Sequence, residues 1–517
     1  MNRIKKSNLL YLDATKKMLQ GLNDKLIPGK IKRETIELTL KSFANELEQS
    51  INVNNNTNIE VVKSNKYFLF MKDFIKENCA EININVQKFF RVLEYSSLLD
   101  NREVQELFNI QVRSYFRKRF AEISSKRVPT KVAENLDKDG CEDLNKTLEQ
   151  ILEQESQRTK ANESKLSQAW DELSELFHNI DFPAIGLEKV QLVKYGSSQN
   201  AFKTANSDID FTLLTNCYVN ERELLKFIKG YFDLFKADGI FVGEVDLLIK
   251  TSVRTPKLEF KFKGLAFDLT INNIFGILNT KLLDVYSMVD DRCRKLGILV
   301  KLWAKKQGIC SGYDWLSSYG YLMLVINFLQ VLPIPILPSL QRLSEMEKEK
   351  LIKLTRILEK DKKDEQTVNT TFLADLNEIK RKFKGCENNQ MGLAELLILF
   401  FNWYVNLAAL GRDEMVSIKE GTLIPRKEIF EINDDDYRKN PKNFALSIED
   451  PFDDTHDLGR VIRVYNRTNW IPQDNFNDKD EDKYKEFVDK MQEAARILKK
   501  HCQLRGSSDP IKELFEN

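Results

Sequence analysis

The feature that most constrains this chain is a short acidic stretch, Ser207–Phe211, with the sequence SDIDF. Its alternation predicts a β-strand in which Asp208 and Asp210 point to one face and Ile209 and Phe211 to the other. Ile209 and Phe211 are explained by an apolar face that packs on a hydrophobic core. Two neighbouring carboxylates repel each other unless a cation lies between them, so the first pair predicts a cation site.

A second predicted strand, Leu265–Ile271 (LAFDLTI), repeats this layout with Asp268 on its polar face. Three aspartates from two strands make a hard oxygen site suited to Mg²⁺ or Mn²⁺. Upstream, Gly196 and Ser197 end the predicted strand Val190–Tyr195 at a turn whose backbone N–H groups can approach a phosphate closely. A phosphate turn, a paired aspartate and a third aspartate are the parts that a nucleotidyl transfer needs.

Length and charge limit the classes of protein that this chain can form. At 517 residues it is expected to form more than one domain. Its 79 basic and 78 acidic residues give a net charge of +1, so RNA contact would need a local basic patch. No segment reaches the roughly 20 apolar residues of a membrane span, so no membrane partner is expected.

Cysteine and histidine usage bears on the compartment. The seven cysteines include no Cys-x-x-Cys pair and there are only three histidines, which argues against a structural zinc site and favours a reducing compartment. The first 42 residues carry ten basic and four acidic side chains and lack the apolar core of a secretory signal. Asp13 and Asp24 interrupt a mitochondrial presequence, so the cytoplasm is the expected location and the mitochondrion the alternative.

Patterning along the chain predicts four regions. Residues 1–165 are expected to be a mainly helical extension for docking or RNA guiding. Within it, the basic aromatic run Arg113–Phe120 has two interpretations, an RNA contact or an amphipathic helix with solvated charges. Residues 166–287 alternate strands and helices and are expected to form the catalytic domain; residues 288–470 are helical, and residues 471–517 form a helical tail.

Two features of the helical region suit an anionic ligand. Lys301 and Lys305 lie four residues apart, so on a helix they share one face and could reach a triphosphate or remain solvated. Ser317 or Ser318 is a natural N-cap for the apolar helix that follows, at an end where backbone donors can meet an anion.

Five motifs then follow one another along the chain: Gly196-Ser197 with SDIDF, FDLTINN, VKLWAKK, LSSYGYLMLVINFLQ and IEDPFDDTHDLGR. Together they resemble the terminal uridylyltransferase and cytoplasmic poly(A) polymerase family of the DNA polymerase β-like nucleotidyltransferase superfamily. The resemblance covers about residues 165–470. It implies an α/β plus α fold: a polymerase β-like sheet domain joined to a helical poly(A)-polymerase-associated domain, with the active site in the cleft between them.

The resemblance also implies roles for individual residues. Asp208, Asp210 and Asp268 would bind two Mg²⁺ or Mn²⁺ ions and act as the catalytic carboxylates. The nucleotide would be bound at its phosphates, ribose and base by Gly196, Ser197, Asn279, Thr280, Lys301, Lys305, Ser318, Tyr319, Asp450, Asp453 and His456.

Base choice depends on His456. Elsewhere a neutral loop histidine is more often a satisfied hydrogen-bonding residue. In this family a histidine at this position accompanies a preference for UTP over ATP. The family's usual HN-x-GR reads His456-Asp457-Leu458-Gly459-Arg460 here, so Asp457 departs from it. The prediction is a template-independent RNA 3′-terminal uridylyltransferase that uses UTP and an RNA 3′ end, with protein partners held through residues 1–165.

Three other functions compete with this prediction. A cytoplasmic-type poly(A) polymerase using ATP shares the same residues outside the base pocket. A 2′-5′-oligoadenylate synthetase shares the glycine turn and the paired aspartates but should lack the IEDPF loop. An inactive scaffold of a small-RNA or RNA-decay complex is the third, although a scaffold has no need of three clustered carboxylates.

Overall fold

The structure is a computed structural model that describes residues 136–217, 219–239, 245–248, 255–311, 314–344, 351–357, 363–410, 414–425, 446–453, 456–462, 479–504 and 508–516. All of them belong to one unit of the chain, Arg117–Asn517. Most of the predicted N-terminal extension, including the run Arg113–Phe120, lies outside the described residues.

The described helices and strands alternate first and then become mainly helical, as the sequence patterning predicts. The helices are α1 (Lys138–His178), α2 (Glu221–Ala237), α3 (Ile274–Val289), α4 (Asp291–Lys306), α5 (Ser318–Val331), α6 (Leu340–Leu343), α7 (Leu376–Lys382), α8 (Gly385–Asn388), α9 (Leu393–Leu410), α10 (Lys479–Leu504) and α11 (Asp509–Phe515). The strands are β1 (Val190–Tyr195), β2 (Ile209–Thr215), β3 (Val245–Leu248), β4 (Lys257–Phe262), β5 (Leu265–Ile271), β6 (Leu351–Ile357), β7 (Lys363–Asn369), β8 (Glu414–Ser417) and β9 (Thr422–Pro425).

The first five strands form one sheet in the order β1-β2-β5-β4-β3. Neighbouring strands are antiparallel except β2 and β5, which run parallel. β6 pairs with β7 and β8 with β9 in two separate hairpins. The α/β plus α fold class is therefore confirmed.

The described residues form two hydrophobic cores. The sheet core lies under one face of the sheet, where Phe211 packs edge-to-face on Trp170 and Phe177 of α1. Phe232 of α2 packs against Phe177 of α1 and against Phe260 of β4 on the same face of the sheet. Aromatic pairs in this geometry add to the stabilisation from burial. The opposite face of the sheet is left for polar side chains.

The helical core is larger and is built from α3, α4, α5, α9, α10 and α11 together with the first half of α1. Its largest fully buried side chains include Trp303, Tyr321, Phe328, Trp403 and Tyr404. None of the helices within the described ranges is long and apolar enough to cross a bilayer.

Helix α1 corrects the expected domain boundary at residues 165 and 166, which falls inside it. The helix is 41 residues long, and its first half buries Leu144, Leu148 and Ile151 in the helical core. Its second half buries Leu173 and Phe177 in the sheet core. The charged segment between these stretches contains no Gly or Pro, so nothing in its sequence ends the helix.

The expected C-terminal tail, residues 471–517, is likewise not a separate region where the structure describes it. In α10 the side chains of Phe487, Met491, Leu498 and Cys502 are buried in the helical core. Cys502 lies with its Sγ 3.3 Å from the Sγ of Cys141, so the last long helix packs on the first.

Candidate active site

A row of polar side chains crosses the open face of the sheet. Asp210 of β2 and Asp268 of β5 are paired in register on the parallel strands. Tyr195 lies opposite Asp210 on β1, and Glu259 lies opposite Asp268 on β4. Because paired residues share a face, these four side chains form one acidic row. Asp208 is exposed and comes directly before the start of β2.

The predicted phosphate turn lies against this row. Gly196 has a φ of 75°, and a Cβ atom there would come within 2.1 Å of the Asp210 carboxylate. Only glycine fits such a close approach at this backbone angle. The Gly196 N–H donates to the Thr280 hydroxyl at 2.7 Å, and that hydroxyl donates to the Gly276 carbonyl of α3 at 2.7 Å. Thr280 thus fastens the turn to α3.

Burial and crowding shift the proton affinity of the acidic row. Desolvation, together with the neighbouring Asp268 and Asp208, raises the pKa of Asp210 to about 7. Desolvation also raises the pKa of Asp268, although Lys257 opposes it. Carboxylates that are held this close in a partly buried site favour a bound cation.

One cation beside the row comes from the chain itself. Lys257 lies two residues before Glu259 on β4, hence on the same face, and its Nζ is 2.7 Å from Oδ2 of Asp268. It also pairs with the Glu259 carboxylate. Burial disfavours the charged lysine, but Asp268 and Glu259 outweigh it and raise the pKa of Lys257.

A divalent cation fits this donor set by its chemistry. In the part of the chain that the structure describes, no three acidic, histidine or cysteine side chains already surround one point. However, Asp268 already holds an ammonium group, and Asp210 is crowded by two carboxylates that a cation would offset. Asp208, Asp210 and Asp268 are the residues that would hold Mg²⁺ or Mn²⁺.

The two predicted triphosphate lysines contact backbone in this structure. Lys301 is fully buried, and its Nζ donates to the Phe202 carbonyl at 2.6 Å. Lys305 reaches the Asn206 carbonyl at 3.4 Å. Burial, followed by the charge of Lys305, lowers the pKa of Lys301 to about 7. Their contact with a triphosphate stays a prediction.

Two side chains of the predicted nucleotide pocket have unsatisfied buried atoms. Within the part of the chain that the structure describes, the Asn279 Oδ1 and the Tyr319 hydroxyl are buried without a hydrogen-bond partner. Burial, and next the charge of Asp450, raise the pKa of Tyr319. Unsatisfied buried polar atoms cost free energy that a ligand could recover. The N-cap of α5 is Ser317, while the Ser318 hydroxyl lies 3.4 Å from the Cys310 Sγ.

The predicted base-edge loop is held together by its own residues. His456 Nδ1 lies 3.1 Å from Oδ2 of Asp450, and the His456 N–H donates to the Asp453 carbonyl at 3.0 Å. Asp450 and Asp453 are buried, whereas His456 is half-buried. The structure therefore brings these three predicted residues together.

Asp457, which departs from the family motif, is well accommodated. Its carboxylate accepts hydrogen bonds from the N–H groups of Ile448 and Gly459 at 2.9 and 2.8 Å and from the Ser447 hydroxyl at 2.5 Å. A carboxylate accepts all three bonds without needing to donate any. The substitution thus keeps the loop fastened.

Sequence reasoning missed several residues around the acidic row, namely Tyr195, Lys257, Glu259 and Asn273. Asn273 donates to the Tyr195 hydroxyl at 3.0 Å, and the same hydroxyl lies 3.2 Å from that of Thr270. Tyr195 could have been found from its position directly before the glycine turn. Lys257 and Glu259 could not, because their place depends on the pairing of β4 with β5.

Two family profiles match the chain. The profile described as poly(A) RNA polymerase, mitochondrial-like, central palm domain matches residues 144–288. The profile described as Cid1 family poly A polymerase matches residues 392–456. The first match begins inside α1, which agrees with the place of that helix in the core.

The curated relatives include poly(A) RNA polymerases. Human poly(A) RNA polymerase GLD2 is 30% identical over 277 residues, 52% of this chain and 51% of that protein. Poly(A) RNA polymerase cid11 of Schizosaccharomyces pombe is 26% identical over 283 residues, 53% of this chain and 50% of that protein. The chain thus spans about half the length of the curated relatives it matches.

Among solved structures, a Cid1 poly(U) polymerase variant bound to MgATP superposes with a TM-score of 0.49 at 21% identity, covering 72% of this chain and 99% of that one. A structure of mtPAP in complex with UTP gives a TM-score of 0.46 at 20% identity, covering 65% of this chain and 64% of that one.

The mixed sheet, the in-register aspartates and the glycine turn agree with a polymerase β-like nucleotidyltransferase fold. Both family profiles match in chain order, the first over the sheet and the second over α9 and the base-edge loop. These two matches support the resemblance to the terminal uridylyltransferase and cytoplasmic poly(A) polymerase family that the order of the motifs predicts.

Proposed function

We propose that this chain adds UMP from UTP to RNA 3′ ends without a template. The placement of Asp210 and Asp268 in register beside Gly196 supports the transfer chemistry. The new bond joins the RNA 3′ oxygen to the α-phosphorus of UTP, and the bond to pyrophosphate breaks. Mg²⁺ or Mn²⁺ bound by the three aspartates would offset triphosphate charge and make the 3′-hydroxyl a better nucleophile.

The other predicted residues bind and orient the nucleotide in this proposal. The glycine turn, held by Thr280, presents backbone at the phosphates. Asn279 and Tyr319 each offer a buried polar atom that has no hydrogen-bond partner among the described residues. A uracil base stacked on Tyr319 would lie toward Asp450, whose charge already acts on that tyrosine.

The observation that carries the choice of UTP is the pairing of His456 with Asp450 at 3.1 Å. In this proposal the ring nitrogen of His456 remote from Asp450 donates to uracil O4, whereas adenine presents an amino donor at the corresponding edge. Two donors facing each other leave a buried group unsatisfied, at a cost of about 1–3 kcal/mol.

A poly(A) polymerase using ATP is the second candidate. It is favoured by the curated relatives, which are named poly(A) RNA polymerases at 26–30% identity. The two candidates share the acidic row and differ only at the base.

The experiment compares nucleotides directly. The purified chain is incubated with 5′-labelled RNA, Mg²⁺ or Mn²⁺ and each nucleoside triphosphate in turn, and kcat/KM is measured for UTP and ATP. We expect the wild type to prefer UTP about tenfold or more, as one unsatisfied donor predicts. His456→Asn should raise the ATP-to-UTP ratio.

His178→Ala is the matched control, because this histidine is exposed at the end of α1. It should leave the nucleotide ratio unchanged. If the wild type prefers ATP, or if His456→Asn leaves the ATP-to-UTP ratio unchanged, the uridylyltransferase proposal is refuted and the poly(A) polymerase proposal is favoured. No extension with any nucleotide would refute both.

A further inference from the structure

A short loop, residues 200–207, passes from one hydrophobic core to the other directly before the catalytic aspartates. Its Phe202 is fully buried in the helical core, where its ring packs against Gly297 of α4 so closely that a Cβ there would lie 2.5 Å away. Ile209, just after the loop, is buried in the sheet core. Asp208 lies between these two anchors, so the loop determines where its carboxylate stands.

Helix α1 holds the loop from one side. The Ala205 N–H donates to Oε1 of Glu155 at 2.7 Å, and Asn162 Nδ2 donates to the Ala205 carbonyl at 3.3 Å. Both polar groups of one peptide residue are thus taken by α1. Glu155 is only 7% exposed although it lies on the charged middle segment of the helix. Buried carboxylates are rare unless they have a specific partner.

Helix α4 holds the loop from the other side. Lys301 donates to the Phe202 carbonyl and Lys305 to the Asn206 carbonyl. Arg158 lies 3.9 Å from Oε2 of Glu155, and the charges of Glu155 and Asp210 both favour the charged form of Lys301. Two buried side chains, Glu155 and Lys301, therefore fasten the loop from two helices, both of which are anchored in the helical core.

We infer that Glu155 is a positioning residue that sets the place of Asp208 relative to Asp210 and Asp268. It acts through the Ala205 N–H, three residues before Asp208. The first half of α1 and α4 both belong to the helical core. This contact therefore lets the helical core fix the position of Asp208 beside the acidic row. The inference rests on the proposed transferase activity for its kinetic test but not for its binding test.

The test uses Glu155→Leu, Glu155→Gln and the control Glu153→Leu in the full chain. Glu153 is exposed on the same helix and contacts only Gln157 among the described hydrogen bonds. Three quantities are measured: Mn²⁺ affinity by titration of the nucleotide-free protein, kcat and KM for UTP, and amide hydrogen exchange of residues 200–207.

For Glu155→Leu we expect Mn²⁺ affinity and kcat each to fall about tenfold, the equivalent of one lost charge-assisted hydrogen bond, with KM for UTP within about twofold. Exchange of the loop amides should accelerate. Glu155→Gln keeps an acceptor oxygen and should restore Mn²⁺ affinity to within about threefold of wild type. Glu153→Leu should match the wild type.

A solely structural role would lower the melting temperature without changing Mn²⁺ affinity, and that result would overturn the inference. If Glu155→Leu does not fold, Asn162→Ala is used instead, because it removes the weaker contact to Ala205. This variant should also lower the Mn²⁺ affinity. An unchanged Mn²⁺ affinity would contradict the inference. A wild-type protein that adds no nucleotide would refute the proposed function. The Mn²⁺ affinity and the amide hydrogen exchange of residues 200–207 would still test the positioning role of Glu155.

Discussion

At the scale of the residue, Gly196 is the position with the least freedom. Its φ of 75° and the approach of Asp210 to within 2.1 Å of a built Cβ are two separate constraints. Gly186 has a similar φ of 79° but nothing within 4 Å, so it carries the first constraint alone. The two glycines therefore separate backbone strain from contact with the acidic row.

If the proposed function holds, Gly196→Ala should lose nucleotide addition by more than about tenfold, because the methyl group must displace the Asp210 carboxylate. Gly186→Ala should cost only the strain of a positive φ, about 1–3 kcal/mol of unfolding free energy, and keep its kcat. Single-turnover RNA extension and urea unfolding of both variants measure this difference. Equal activity of the two variants would show that the approach to Asp210 does not matter.

Asp210 gives a prediction about pH. Its pKa is raised from an ordinary 3.8 to about 7, so between these values the native protein binds a proton that the unfolded chain has lost. The contribution of Asp210 to the stability of the metal-free protein is therefore fully present below about pH 4 and is lost as the pH rises through about 7.

Asp210→Asn removes this titration. In EDTA, its melting temperature should match the wild type near about pH 4 and exceed it by at least about 5 °C near pH 8, while nucleotide addition falls more than about a hundredfold. The measurement is calorimetry of both proteins across this range. A difference that stays constant with pH would show that Asp210 is not the group responsible.

At the scale of the element, α10 shows how a segment of charged sequence can complete a core. Its buried positions Phe487, Met491, Ala494 and Leu498 recur at helical spacing among lysines and glutamates. The helix packs on α9 and α1, which are far apart in the sequence. Its sequence pattern predicted the helix but not its partners.

Leu498→Ala should therefore destabilise the protein by about 2–5 kcal/mol through the cavity it leaves. Lys500→Ala, two residues away on the exposed side of the same helix, should change stability by no more than about 0.5 kcal/mol. Urea unfolding followed by circular dichroism compares them. Near-equal midpoints would mean that α10 is not part of the cooperative core.

The strands show which parts of the fold could be predicted from the sequence. The bounds of β1 and β5 are those that the sequence predicts, and in β5 the side chains of Phe267, Leu269 and Ile271 are buried while Asp268 is only half-buried. β2 begins at Ile209, one residue after Asp208, because the loop contacts of residues 200–207 end there. The place of Lys257 could not be predicted, because the register between β4 and β5 comes from contacts across the whole sheet.

At the scale of the molecule, α1 connects the two cores, and a chain that begins at Leu166 would lack its first half. Such a chain leaves uncovered the surfaces that Leu144, Leu148 and Ile151 normally fill. We expect it to be insoluble or to melt at least about 10 °C lower, because several kcal/mol of burial are lost. A chain that begins at residue 131 keeps all of α1 and is the control.

Circular dichroism melting and UTP binding of the two truncated chains give the comparison. Full UTP affinity in the chain beginning at Leu166 would restore the domain boundary that the sequence predicted. The sequence missed α1 as a connector because the segment between its two apolar halves is charged, and a charged helix and a charged linker have similar composition.

The packing of Cys502 on Cys141 has a consequence for the order of events during synthesis. The sheet core needs only residues 169–271, so it can form while the chain is still emerging from the ribosome. The helical core contains side chains from Cys141 to Phe515. The first half of α1 can therefore be fully packed only after α10 and α11 have been synthesised. Until α10 is made, the apolar side of the first half of α1 stays open to solvent and to chaperones, and the nascent chain carries a folded sheet before its helical core is complete.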